Sequence, residues 1–311
     1  MDYLPEGYLI DLSENGVKLR DLTALRKAMR EQSILEATAL VCDAEHNLIV
    51  NLGGIKGVIP REEGALGIKE GTVRDIALIT RVGKPVCFTV TDLRKDTNGD
   101  VYALLSRKEA QKRCRRDYID TLRPGDIIPA RITHFEPFGA FCDIGCGISA
   151  LLPIDSISVS RISHPRDRFR CGDDIRVVVK SAENGRITLT LKELLGTWEE
   201  NTRSLAAGQT VSGIVRSIED YGIFVELAPN LAGLAELRDD VFVGQTASVY
   251  IKSLLPEKMK VKLVIVDCFE GRYAEPTALH YFAEGDRLRY WRYSPDSCTK
   301  EVFTDFTVEN G

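Results

Sequence analysis

Gly125-Asp-Ile-Ile-Pro-Ala-Arg-Ile-Thr-His-Phe-Glu-Pro-Phe-Gly139-Ala-Phe-Cys-Asp-Ile144 returns along the chain as Gly208-Gln-Thr-Val-Ser-Gly-Ile-Val-Arg-Ser-Ile-Glu-Asp-Tyr-Gly222-Ile-Phe-Val-Glu-Leu227. The copies keep one offset of 83 residues without a gap, and Ala150-Leu151-Leu152 meets Gly233-Leu234-Ala235 at the same offset. Further on, Gly172 and Gly244 open comparable strands, but the offset has fallen to 72. The residues missing from the later copy correspond to the loop around His164-Pro-Arg-Asp-Arg-Phe-Arg170. A weaker, earlier copy runs from Asn47 to Gly53 and on to Gly57-Val-Ile-Pro60, and closes with Leu105-Ser106-Arg107-Lys108 against Leu189-Thr190-Leu191-Lys192. Self-similarity at this period predicts three related modules of about 75–85 residues.

Each module reads as β-structure. Ile127 to Ile132, Phe138 to Ile144, Ile175 to Val179 and Ile187 to Leu191 are short alternating or β-branched runs between turn residues. Asn184-Gly185 is a strong local hairpin signal. Four or five strands in so short a module suit a small closed barrel better than a sandwich. Between modules the period turns helical: Ala110, Cys114, Tyr118 and Leu122 lie four apart, as do Leu194 and Trp198. The expected class is all-β, three small barrels in series joined by short helices.

Composition sets the bounds. The chain has 311 residues, 44% hydrophobic and 28% charged, with a formal charge of −5; these values are those of a globular chain, not of a disordered or fibrous one. The charge is uneven, near neutral up to residue 195 and negative beyond it. That excludes a histone-like coat but not local basic stripes. No apolar run approaches the ~20 residues of a membrane span. Met1-Asp2-Tyr3-Leu4-Pro5-Glu6 has neither the basic nor the apolar part of a signal peptide. A cytoplasmic protein with its eight cysteines reduced is therefore expected.

Phe138-Gly-Ala-Phe141-Cys-Asp-Ile-Gly145, then Leu151-Leu-Pro-Ile154, Gly172-Asp-Asp-Ile175 and Gly185-Arg-Ile-Thr-Leu-Thr-Leu-Lys-Glu193 follow one another in order. In that order and spacing they resemble the S-one RNA-binding domain, named after the largest protein of the bacterial small ribosomal subunit. The middle module carries the resemblance best, the third carries its first half in Tyr221-Gly-Ile-Phe224, and the first is degenerate. The resemblance implies OB-type five-stranded barrels and places the chain with the short bacterial S-one-like proteins. It divides the chain into an N-terminal arm with a short helix (1–35), a degenerate S-one-like domain (36–117), two S-one RNA-binding domains (118–197 and 198–270) and a hairpin extension (271–311). It implies single-stranded RNA, mRNA included, as the partner, a role in translation, and a place at the small ribosomal subunit.

Sequence-tolerant binding of a single strand needs π-surfaces for bases and cations for phosphates. Phe138 and Phe141 are candidates for the first. A spacing of three sets them on opposite faces of a regular strand, so Gly139 is expected to bulge and bring both rings to one side. Tyr221 and Phe224 bracket Gly222 in the same way; in either pair one ring could instead belong to the core. Arg186 follows the Asn-Gly turn and matches a position that contacts RNA in the resembled family, and Lys258 takes that place in the third module. Arg161 and the loop residues His164, Arg166, Arg168 and Phe169 form a denser basic-aromatic candidate; its alternative is a structural loop paired with Asp167, Asp173 and Asp174. Lys108, Lys112, Arg113, Arg115 and Arg116 give the first connector a basic face, more often a solvated surface than a site, with phosphate contact as the other reading. Arg287 to Phe306 reads as a hairpin; its aromatics are expected to pack on the third module, the alternative being that its alternating Arg, Tyr and Trp bind nucleic acid.

The chain departs from the family where Pro153 and Glu236 replace a histidine and Ala182 an acidic residue. His46 and Ile49 stand in for the aromatic pair of the first module, which predicts little stacking there. No metal-ligand spacing, phosphate-binding loop or catalytic constellation is present in the sequence, so the expectation is a non-enzymatic monomer without cofactor. A protein-interaction adaptor, docking a ribosomal or RNA-processing partner with RNA binding incidental, is the competing expectation.

Overall fold

A computed structural model of the chain describes residues 3–183, 185–269 and 279–307. Its strands close into three five-stranded barrels with one topology. The first is made of β1 (Leu35–Cys42), β2 (Leu48–Leu52), β3 (Ile55–Ile59), β4 (Pro85–Lys95) and β5 (Val101–Ser106). The second holds β6 (Ile127–Glu136), β7 (Gly139–Asp143), β8 (Ser149–Pro153), β9 (Asp174–Glu183) and β10 (Arg186–Thr190). The third holds β11 (Thr210–Glu219), β12 (Gly222–Ala228), β13 (Leu231–Ala235), β14 (Thr246–Leu255) and β15 (Lys260–Phe269). In each, the third strand runs parallel to the fifth, the OB-type arrangement that the resemblance implied. The hairpin between β9 and β10 turns through Gly185, at φ +70°, with Glu183 opposite Arg186; Asn184 lies outside the described residues.

Alternation builds the cores. Leu48, Val50 and Leu52 of β2 point inward, as do Ile223 and Val225 of β12, with less buried residues between them. The connectors are helical as the period predicts. In α1 (Arg107–Asp117) the Ser106 hydroxyl accepts the Glu109 N–H, and Ala110 and Cys114 are buried. The shorter α2 (Trp198–Thr202) starts with a capping box between Thr197 and Glu200 and buries Trp198. A short hairpin, β16 (Tyr290–Arg292) with β17 (Phe303–Asp305), ends the described chain. Its Trp291 and Tyr293 join the core cluster of the third barrel, and the Tyr293 hydroxyl donates to the Asn230 carbonyl at 2.5 Å. That is the packed arrangement expected for these aromatics.

The chain forms two compact units, one of residues 1–122 with 129–131 and 143–149, the other of 123–128, 132–142 and 150–311. Within the first, the N-terminal arm is held by buried charge. Glu6 takes Arg107 bidentately at 2.6 and 2.9 Å, and Arg81 at 3.1 Å. Glu36 Oε2 accepts the N–H groups of Gly7, Leu9 and Ile10 at 3.0–3.1 Å. Burial, aided by the nearby Glu6 and Asp143 carboxylates, raises the Glu36 carboxyl to about 7 in spite of those donors.

This sets a pH dependence. A carboxyl raised by folding adds stability that is complete below its unfolded pKa near 4.5 and fades as pH rises through about 7. At 1.36 kcal/mol per unit the contribution is about 3 kcal/mol. Thermal melts are expected to show the first unit losing stability between pH 5 and 8. Asp143, buried in the same unit and raised to about 7 as well, adds to the slope, so Glu36→Gln should reduce it by about half, and an unchanged slope would refute the assignment. Glu6 acts in the opposite sense: its arginines hold it low against the cost of burial, so its contribution is present above the ordinary carboxylate value of 4.5 and is lost as pH falls from there through its lowered one.

Candidate nucleic-acid interface

The aromatic pairs sit at the β-hairpins that open the second and third barrels. In each barrel a two-residue loop, Pro137-Phe138 or Asp220-Tyr221, joins the first strand to the second. Phe138 and Tyr221 therefore leave the strand pleat altogether, and this, not a bulge at the glycine, brings each to the side of its partner. Phe138 meets Phe141 edge-on with ring centroids 6.2 Å apart, and Tyr221 meets Phe224 at 6.0 Å. Phe138 is 55% exposed and Tyr221 70%. Neither is a core residue, and Phe141 and Phe224 are half-buried beneath them.

Both glycines have a different task from the one their spacing suggested. A Cβ on Gly139 would lie 2.5 Å from the Leu152 carbonyl oxygen, and one on Gly222 would lie 2.6 Å from that of Ala235. Each glycine lets the third strand of its barrel pass close by. Gly222 also has φ +150°. Gly222→Ala should therefore cost about 1–3 kcal/mol, seen as a lower melting temperature for the third barrel; an unchanged melt would contradict the close approach.

The irregularity that matters lies in the first strand. In the third barrel the register shifts at Arg216, so that Val215 faces Val225 but Ser217 faces Phe224. The repeat places His134 where Ser217 stands. His134 is exposed and stacks on Phe141, centroids 4.5 Å apart and planes 6° from parallel. The middle barrel thus presents three rings, Phe138, Phe141 and His134, as one surface. Sequence reasoning passed over His134, whose only signal was its place opposite an aromatic in the repeat.

The loop Arg161–Arg170 divides into two parts. Arg161 and Arg166 are exposed and His164 is half-exposed. His164 caps a short 3-10 turn: its Nδ1 accepts the Arg166 N–H at 3.1 Å, while the Asp167 carboxylate accepts the His164 N–H. Arg168 and Phe169, expected on the surface, are instead each 2% exposed. Phe169 packs in the interior. Arg168 grips Glu226 of β12 at 2.6 and 2.8 Å, and Arg216 adds two contacts to the same carboxylate at 3.0 and 3.1 Å. Burial works against the Glu226 charge, but the two guanidinium groups outweigh it and hold the carboxyl below its usual range. This ion triad joins the second barrel's longest loop to the third barrel, and neither residue faces a ligand. The extra residues of the middle copy are the ones that do this joining.

Arg186 at the start of β10 and Lys258 in the turn before β15 are both exposed, as their positions suggested. The basic connector makes contacts within the protein. Lys108 bonds Glu63 and the Glu62 carbonyl, Arg113 the Gln32 carbonyl, and Arg116 pairs with Asp117; the helix spends most of its cations on the protein itself. In the first barrel His46 sits in the β1–β2 turn at φ +62°, its Nδ1 3.6 Å from Asp75, and no aromatic pair faces it. Among the described residues no group of three or more His, Cys, Asp and Glu side chains is placed to hold a metal ion, and no helix is long and apolar enough to cross a membrane.

Residues 121–192 match the model of the S1 RNA binding domain. The chain is similar to the small ribosomal subunit protein bS1 homolog of Bacillus subtilis, 26% identical over 270 residues, which are 84% of this chain and 66% of that protein. It is 29% identical over 230 residues to bS1 of Leuconostoc lactis (71% and 50%) and 28% over 319 residues to the bS1 homolog of Bacillus cereus (97% and 80%). The chain thus spans 66% and 50% of the first two of these relatives. With three barrels of one topology and aromatic pairs at equivalent hairpins, residues 121–192 carry an S1 RNA binding domain, and the chain as a whole is similar to the bacterial bS1 proteins.

Proposed function

We propose that this chain binds single-stranded RNA, mRNA in particular, and acts in translation at the small ribosomal subunit as a cytoplasmic, monomeric, non-catalytic factor. The observation that carries the reading is the exposed Phe138–Phe141–His134 surface of the middle barrel. Rings left in water at a barrel hairpin offer apolar faces that stacked bases cover, at a gain of about 1–3 kcal/mol each. Arg161, Arg166 and Arg186 are the exposed cations assigned to phosphate. In the domain division drawn from the sequence, 118–197 is the principal RNA domain and 198–270 a weaker one, since the latter lacks the stacked histidine and carries the charge deficit.

Fluorescence anisotropy with a labelled oligo(U) tests this. Binding is expected with a log–log salt slope of about −2, the value for three phosphate contacts on a single strand, and with little affinity for a duplex of the same length. No binding at roughly 100 µM protein, within the ordinary non-specific range, would end the proposal.

A second reading, docking to a protein partner, is favoured by one feature of the first barrel. Leu40, Val41, Ile76, Ile79 and Val82 are all more than 40% exposed, and exposed apolar side chains of this kind mark interaction surfaces. Sucrose-gradient profiles of Val41→Asp/Ile79→Asp separate the two. Loss of ribosome comigration with RNA affinity intact would assign docking to the first barrel.

A further inference from the structure

We propose that Phe135, His164 and Arg166 form a subsite for one RNA nucleotide, joining the aromatic pairs of the second and third barrels into a single track. The inference rests on the RNA-binding reading above. Phe135 follows His134 on β6 and is half-buried. The His164 ring stands edge-on to it, centroids 6.2 Å apart, and the Arg166 guanidinium carbon lies 5.8 Å from its centroid. The His164 ring is fixed beforehand by its cap on the turn, and the backbone that carries Arg166 by that cap and the Asp167 carboxylate. Little ordering is left for the bound state, which favours affinity. A phenyl ring, an imidazole and an exposed guanidinium within one turn suit a stacked base and its phosphate.

The same turn runs directly into the third barrel. Asp167 offers its carbonyl to Arg216 at 3.5 Å, and the next residue is buried on Glu226. Glu226 and Phe224 are two residues apart on β12, hence on one face of the strand and roughly 7 Å apart along it. The loop therefore lies beside the third barrel's stacking ring. His134, stacked on Phe141, precedes Phe135 on β6; consecutive strand residues face opposite sides, so a bound strand passes from one to the other around the hairpin end of β6. A strand leaving the middle barrel's aromatic surface crosses this subsite before it reaches Phe224.

A length series of oligo(U), from 4 to 20 nucleotides, tests the track by anisotropy. Wild type should gain affinity with length beyond what one barrel spans, roughly 4–16 nucleotides for an OB fold. Phe135→Ala should leave the shortest bound oligomers, which Phe138, Phe141 and His134 hold, unaffected and lose at least tenfold on the longest. Arg166→Glu alone, at an exposed position that folding does not depend on, should lose the same length-dependent gain. If both variants bind every length as wild type does, the subsite is refuted while the RNA reading stands. If wild type binds no length, both fall.

Discussion

Replacing both rings of the middle barrel, Phe138→Ala/Phe141→Ala, should weaken binding of a short single-stranded RNA by about 30- to 1,000-fold. Alanine substitution at a base-stacking position costs about 1–3 kcal/mol; for two rings in contact, whose losses do not add fully, the pair costs about 2–4 kcal/mol, and each 1.4 kcal/mol is tenfold. His134 loses its stacking partner when Phe141 goes, so the whole surface is lost rather than one ring. The equivalent change in the third barrel, Tyr221→Ala/Phe224→Ala, should cost less. Ser217 stands there in place of a histidine, and Arg216 is committed to Glu226. Phe138 is more than half exposed, so circular dichroism should show the variant folded. Equal losses in the two barrels would mean that the stacked histidine does not distinguish them, and no loss in the middle barrel would mean the rings do not stack bases.

Glu226→Ala should destabilise the second unit by about 3–5 kcal/mol, the cost of leaving a buried charge without its partner. Arg168 is buried and depends on Glu226 for both of its terminal nitrogens, with Ser158 as its other partner. In a unit of this size the melting temperature should fall on the order of 10 °C. Arg168→Ala should cost less, because Arg216 still holds the carboxylate. Arg168→Met/Glu226→Leu should recover most of the loss, since apolar replacement of a whole buried pair is often neutral or better. A double-mutant cycle on denaturant melts measures the coupling; a coupling near zero would contradict the geometry, and a strong one makes the loop a joint between two barrels.

The barrels were legible because their signals are local. Alternation, turn glycines and a gapless repeat lie within short stretches, and the order of four motifs pointed to the S1-like family and hence to the OB topology. The hairpin rings were legible for the same reason. Arg168 and Phe169 were not, since a loop rich in arginine reads as surface until its partner is known, and Glu226 lies 58 residues further on. Nor does any local pattern announce the register shift at Arg216 or the stacking of His134; both depend on how two strands pair. Gly139 was read as a bulge because its spacing allows one, whereas its need is set by a carbonyl of the neighbouring strand. Glu6 and Arg107, buried together 101 residues apart, left no mark in the sequence that would have paired them.

Photo-cross-linking to 4-thiouridine-substituted oligo(U), with the modified peptides identified by mass spectrometry, tests the central claim most directly. Cross-links should fall on the β6–β7 hairpin at His134, Phe138 and Phe141, with weaker ones at Tyr221 and Phe224. Cross-links confined to the first barrel or to the C-terminal hairpin would contradict the account.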